Sequence, residues 1–162
     1  IAYWATKRVR EIFKESNTLE EIAKPRQGMA TADNDRFLRN WYEVSHNRIG
    51  FGIETSSKAK QSDYKWFPYN KGGSYRKWYG NFEKIVNWEN DGYEIKNFKD
   101  SNGKLKSRPQ NLDYMFKEGI TWSFVSSSNF GVRYTPKGFL FDVGGSSLFP
   151  DEDIYIFKLS SK

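Results

Sequence analysis

Aromatic rings outnumber branched aliphatic side chains in this chain, and that ratio limits what it can fold into. Trp, Tyr and Phe number 6, 10 and 13, or 29 of 162 residues, against 23 for Ile, Leu and Val. Counting Phe with the aliphatics gives about 22% of the chain, just above the ~20% level at which disorder sets in. A folded unit is expected, with a small aromatic core and surplus rings at the surface, where they can stack on a ligand. The length fits a single domain.

The order of the runs gives the fold class. Aromatic and β-branched stretches bounded by Gly, Asn, Asp and Ser predict strands at 41–44, 48–53, 65–69, 82–88, 120–125, 130–134, 138–143 and 154–159. Residues 55–61 and 92–98 predict short helical turns, and the polar stretch 99–108 predicts an exposed loop. At the start, Ala2, Ala5, Val9 and Ile12 recur at helical spacing, with a stop at Ser16-Asn17. Thr18-Leu19-Glu20-Glu21 resembles a capping box and opens a turn that ends before Pro25. The class is α+β, a β-rich domain of short, mainly antiparallel strands with a leading helix. The chain opens at Ile1 rather than Met and reads as a piece of a longer protein. Residues 1–17 then form either a linker to a neighbour or a helix packed on the sheet, and 18–162 form the domain proper.

Several chemistries are excluded. Without Cys there is no disulfide, thiolate site or Cys nucleophile. With His46 alone there is no multi-His metal centre. No apolar run approaches the ~20 residues of a membrane span. The phosphate-loop, dinucleotide and G-x-S-x-G signatures are missing, and no two prolines are adjacent. Glu94-Ile95-Lys96 matches the tail of a nuclease motif, but Asp91 stands too close to be its partner. Catalysis within this stretch is not expected.

The charge favours an anionic partner. The net charge is +6. Between residues 58 and 84 seven Lys/Arg face two Asp/Glu, and between 96 and 108 five face one. In residues 65–81, Lys65, Lys71, Arg76 and Lys77 are interleaved with six rings. Cations suit phosphates, rings suit bases or sugars, and Gly72-Gly73 lets a backbone come close. The alternative is a hairpin with inward rings and solvated cations. The stretch 26–37 is rich in side chains that form paired hydrogen bonds. Arg reads guanine edges, and Gln or Asn reads adenine edges. Its alternative is a turn whose Asp and Asn satisfy their own backbone.

These blocks occur in a fixed order: Arg26-Gln27-Gly28, Asp33-Asn34-Asp35-Arg36-Phe37, residues 65–81, Val86-Asn87-Trp88-Glu89-Asn90-Asp91-Gly92, Glu118-Gly119-Ile120-Thr121-Trp122-Ser123, Arg133-Tyr134 and Gly138-Phe139-Leu140-Phe141-Asp142. Together they resemble the C-terminal part of PglX-type adenine-specific DNA methyltransferases of phage-exclusion (BREX) systems, which are similar to type II restriction-modification methylases. Ala32 stands where that pattern has Gly.

The resemblance implies that 18–162 is a target recognition domain. The S-adenosylmethionine site and the Asn-Pro-Pro-aromatic motif would belong to a catalytic part of the same chain that this sequence does not contain. No cofactor is expected in this stretch. Its partners would be duplex DNA, the missing methyltransferase domain and other defence-system subunits, in the cytoplasm and away from membranes. The duplex would be held here while an adenine is flipped out for methylation at N6. Lys71, Arg76 and Lys77, with Gly72 and Gly73, are candidates for phosphate contact. Arg26, Gln27, Asn34 and Arg36 are candidates for base edges or for bracing the loop that reaches them. Trp78 and Tyr79 are candidates to wedge or stack, while Trp66, Trp88 and Trp122 are assigned to the core. An RNA- or single-strand-binding module is the alternative, followed by a carbohydrate-binding β domain and, last, an autonomous hydrolase.

Overall fold

The computed structural model describes residues 4–125 and 129–150. In them, eight short strands form two four-stranded sheets. The first has the order β1-β8-β5-β6 and contains β1 (Ala23–Arg26), β5 (Gly119–Trp122), β6 (Val132–Thr135) and β8 (Ser147–Pro150), all antiparallel. The second has the order β2-β4-β3-β7 and contains β2 (Leu38–Asn40), β3 (Trp66–Asn70), β4 (Lys84–Asn87) and β7 (Leu140–Phe141). Its pairs are antiparallel except β3 with β7. The α+β class is the one expected from sequence. The strand expected at 154–159 lies outside the described residues.

Three differences have physical causes. Residues 41–44 do not extend. The Asn40 N–H donates to Glu43 Oε2 at 2.6 Å and closes a 3-10 turn over Trp41–Glu43, leaving both rings outside. Those hydrogen bonds from Asn40 also hold the Glu43 carboxyl below its ordinary pKa. Residues 48–53 supply a 3-10 turn, His46–Arg48, and one bridge from Ile49 to Trp66 rather than a strand. Conversely, a strand forms where none was expected: the turn ends at Ile22, before Pro25, and Pro25 then sits inside β1. That strand is a sheet edge, where a missing N–H costs no ladder bond.

The helices follow their caps. In α1 (Lys7–Glu15) Thr6 accepts from the Val9 N–H at 3.3 Å, and Ser16 ends the helix. None of its residues is buried, and Val9, Ile12 and Phe13 stand exposed. α2 (Leu19–Ile22) follows Thr18, whose hydroxyl donates to Glu21. α3 (Asn34–Phe37) is capped by Asp33, α4 (Ser56–Gln61) by Thr55. The last, α5 (Glu89–Lys96), begins with three left-handed residues, Asn90, Asp91 and Gly92.

The core is aromatic, as the composition demands. Phe37, Phe67, Tyr69, Trp88, Phe116, Phe141 and Phe149 pack with Met29, Val86, Ile95 and Leu140. A smaller cluster of Ala23, Ile120 and Leu148 lies under the first sheet. Trp66 and Trp88 are buried, and Trp122 packs half-buried on the smaller cluster. Gly28 is held against β7, where a Cβ would lie 2.2 Å from the Phe141 carbonyl oxygen.

Ala32 keeps the turn that a glycine would make. Its φ is 64°, and it is exposed. Ala32→Gly should therefore stabilise the fold by about 0.5–1 kcal/mol, the left-handed strain removed less the entropy that glycine adds to the unfolded chain. A higher urea midpoint with unchanged slope is the expected reading. A lower midpoint would refute the strain.

Candidate nucleic-acid interface

The site is a loop, residues 71–81, clamped at both ends. It leaves the core at Asn70, whose buried amide donates to Thr121 Oγ1 at 2.7 Å. Gly72 follows with φ of 82°, and a Cβ there would lie 2.2 Å from the Gly144 carbonyl oxygen. Its N–H donates to Asn70 Oδ1 at 3.3 Å. Lys71 turns back to the fold, donating to Asp142 Oδ2 at 2.8 Å and to Asn34 Oδ1 at 3.2 Å. Asp142 is buried and also accepts from the Tyr69 hydroxyl at 2.7 Å and the Gly144 N–H at 2.8 Å. Burial, with that carboxylate beside it, pushes the Tyr69 pKa far up, so the phenol stays a donor.

The far end of the loop is sewn to β6. The Trp78 N–H donates to the Val132 carbonyl at 2.9 Å, and the Trp78 carbonyl accepts from the Tyr134 N–H at 2.9 Å. Trp78 takes φ of 71° to do so. Two backbone bonds on one residue fix the loop as an extension of the sheet edge. Tyr134 also donates to Glu118 at 2.9 Å; burial, with this bond, pushes its phenol pKa up to about 12.

Between the clamps the side chains face solvent. Trp78 is 53% and Tyr79 62% exposed, with Tyr75, Arg76, Lys77 and Gly73 also exposed. Lys77 lies over the Trp78 ring at 5.5 Å. Tyr79 meets Phe82 edge-on at 4.8 Å. Among the described residues, the Arg76 guanidinium has no hydrogen bond or ion pair. The β5–β6 connection lies alongside: Ser123 Oγ donates to the Gly73 carbonyl at 2.6 Å, and Phe124 and Phe130 are exposed. These two rings and Tyr75 are the ones that sequence reasoning left out. Their signal was weak, because a Phe flanking a strand reads as core.

The stretch 26–37 is occupied internally. Arg26 donates to the Tyr114 hydroxyl at 3.3 Å and stacks over its ring. Gln27 accepts from the Gln110 amide at 3.3 Å, and its carbonyl accepts from Asn111 at 2.9 Å. Arg36 donates twice to Glu94, at 2.8 and 2.5 Å, over the rings of Phe37 and Phe98. Asn34 is exposed and takes the Lys71 ammonium. A cleft of about 360 Å³ beside it includes Asp35, Arg39, Glu43, Lys71 and Lys84. Lys96 pairs with Asp91 at 2.8 Å and Glu94 with Arg36, so both charges of Glu94-Ile95-Lys96 are neutralised by neighbouring residues. Among the described residues no group of acids and His is placed to hold a metal. No helix in them is long and apolar enough to cross a membrane.

Comparison with known proteins fixes the relationship. The chain is 44% identical over 154 residues to the adenine-specific methyltransferase PglX of Lacticaseibacillus casei (strain Zhang), a match covering 94% of the chain. It is 43% identical over 150 residues to the adenine-specific methyltransferase BrxX of Escherichia coli O9:H4 (strain HS), covering 92%. The chain is homologous to one segment of the PglX-type adenine-specific methyltransferases. It spans only 13% and 11% of the lengths of PglX and BrxX. No family model matches the sequence.

The PglX-type relationship raises the question of a methyl donor site. The sequence has one Pro-aromatic pair, Pro68-Tyr69. Both residues are buried within β3, and the Tyr69 hydroxyl is committed to Asp142. That pair cannot face a flipped base. Among the described residues this pair does not fit an S-adenosylmethionine methylation centre.

Proposed function

We propose that this chain is the DNA target-recognition segment of an S-adenosylmethionine-dependent adenine-N6 methyltransferase of PglX type, acting in phage exclusion or restriction-modification. The observation that carries the reading is the exposed row of Arg76, Lys77, Trp78 and Tyr79 on a loop whose backbone is fixed to β6. Rigidly mounted, solvent-exposed cations and rings are suited to a phosphate backbone and to bases. Lys71, Gly72, Arg26, Gln27 and Arg36 then serve as braces, since their polar groups are engaged within the fold. Asn34 and Gly73, both exposed, flank the contact surface. Residues 18–162 form the recognition unit. α1, with no buried face, leads toward the rest of the enzyme, which supplies catalysis and contacts to other defence proteins.

The test is a titration of the chain against a mixed-sequence duplex across a range of salt. Affinity should fall steeply as salt rises, and Arg76→Ala or Lys77→Ala should each lower the slope of log K against log salt by about one. Arg36→Ala should leave that slope unchanged. Equal slopes in all three variants would remove the loop from the interface. Tighter binding to a single strand than to the duplex would favour the RNA- or single-strand-binding alternative.

A further inference from the structure

Beneath the exposed loop lies a buried cation with no counter-charge among the described residues. Arg133, in β6, is 1% exposed. One terminal nitrogen donates to Ser123 Oγ at 3.3 Å, and Ser123 passes the contact on to Gly73. Among the described residues its Nε–H meets no acceptor. Among the described residues no carboxylate forms an ion pair with it. Buried arginines are almost always paired, because an isolated charge in a low-dielectric interior loses its hydration without compensation. Burial accordingly draws the guanidinium pKa below its ordinary value.

Arg133 lines a recess with Tyr75, Ser123, Asn129, Phe130 and Gly131, and no acidic residue is among them. The recess holds about 10 Å³, enough for about one oxygen atom the size of a water. Its rim carries an exposed amide side chain, Asn129, and the Arg76 backbone, whose carbonyl packs on Gly131. We propose that this recess is an anion site that seats one oxygen of a phosphodiester group on the Arg133 Nε–H, with the remainder of the group at the rim. The site rests on the nucleic-acid reading only for the source of the phosphate. It adds a buried donor to the exposed cations, and an Nε–H direction that a lysine cannot reproduce.

The arginine side-chain signals of the ¹⁵N-labelled 162-residue chain can test it. Inorganic phosphate is exchanged for chloride at constant ionic strength. The Arg133 Nε–H signal should move and saturate. Arg133→Lys should abolish the accompanying saturable shifts of the Ser123 and Gly131 amides. Should that variant fail to fold, the wild-type Nε–H signal decides independently. An unmoved Arg133 signal overturns the site, whether or not Arg76 responds. Saturation by phosphate with no duplex binding at low salt would keep the anion site and defeat the DNA reading instead.

Discussion

Asp142→Ala is expected to destabilise the fold by about 3–4 kcal/mol, a large fraction of the 5–15 kcal/mol typical of a domain. The carboxylate is buried and accepts from three donors drawn from different places: the Tyr69 hydroxyl, the Lys71 ammonium and the Gly144 N–H. Lys71 can turn to water, being partly exposed. The Tyr69 hydroxyl cannot, since the residue is fully buried and keeps only a long contact of 3.3 Å to the Met29 carbonyl. An unsatisfied buried donor costs about 1–3 kcal/mol, and the cavity left by the side chain adds to it. Urea denaturation should show a much lower midpoint at unchanged slope. Tyr69→Phe made first should reduce the cost of the second change, because the two share one network. A loss below about 1 kcal/mol for Asp142→Ala would mean that the loop end is held by Gly72 and Asn70 alone.

Asp142 also illustrates what the sequence could and could not reveal. The α+β class, the aromatic core, the capping box at Thr18, and strands β3 to β7 were legible because period, β-propensity and cap chemistry are local. β1, β2 and β8 were not. Ala23–Arg26 contains a proline, Leu38–Asn40 is three residues long, and Ser147–Pro150 ends in another proline. Each becomes a strand only because a distant partner supplies the ladder, Leu148 for Pro25 and Val86 for Leu38. The rings at 41–42 misled in the opposite sense, since their β-propensity lost to the two Asn40–Glu43 hydrogen bonds.

The exposed loop was legible to a similar degree. Mixed cations and rings at 75–79 marked a surface, but composition could not separate Arg76 from Lys71. Only the tertiary fold brings Asp142, seventy-one residues away, onto the Lys71 ammonium. The same holds for Arg36, whose partner Glu94 lies fifty-eight residues along the chain. Charge runs in a sequence locate where cations are; the fold decides which of them remain available.

Trp78→Ala provides the sharpest separation of structure from binding. About half of the ring is in solvent. Its removal should change stability by less than about 1 kcal/mol, as is usual for exposed positions. If the ring stacks on or wedges between bases, duplex affinity should fall by about 1–3 kcal/mol, roughly 5- to 150-fold. The salt slope should stay as it was, because no cation is lost. Trp78→Gly supplies the control. At φ of 71° glycine is unstrained, so this variant should be at least as stable as the alanine one and yet equally weak in binding. Binding that recovers in the glycine variant would assign Trp78 a backbone role in shaping the loop. Binding lost in both, with the fold intact and the slope unchanged, would assign the affinity to the ring itself.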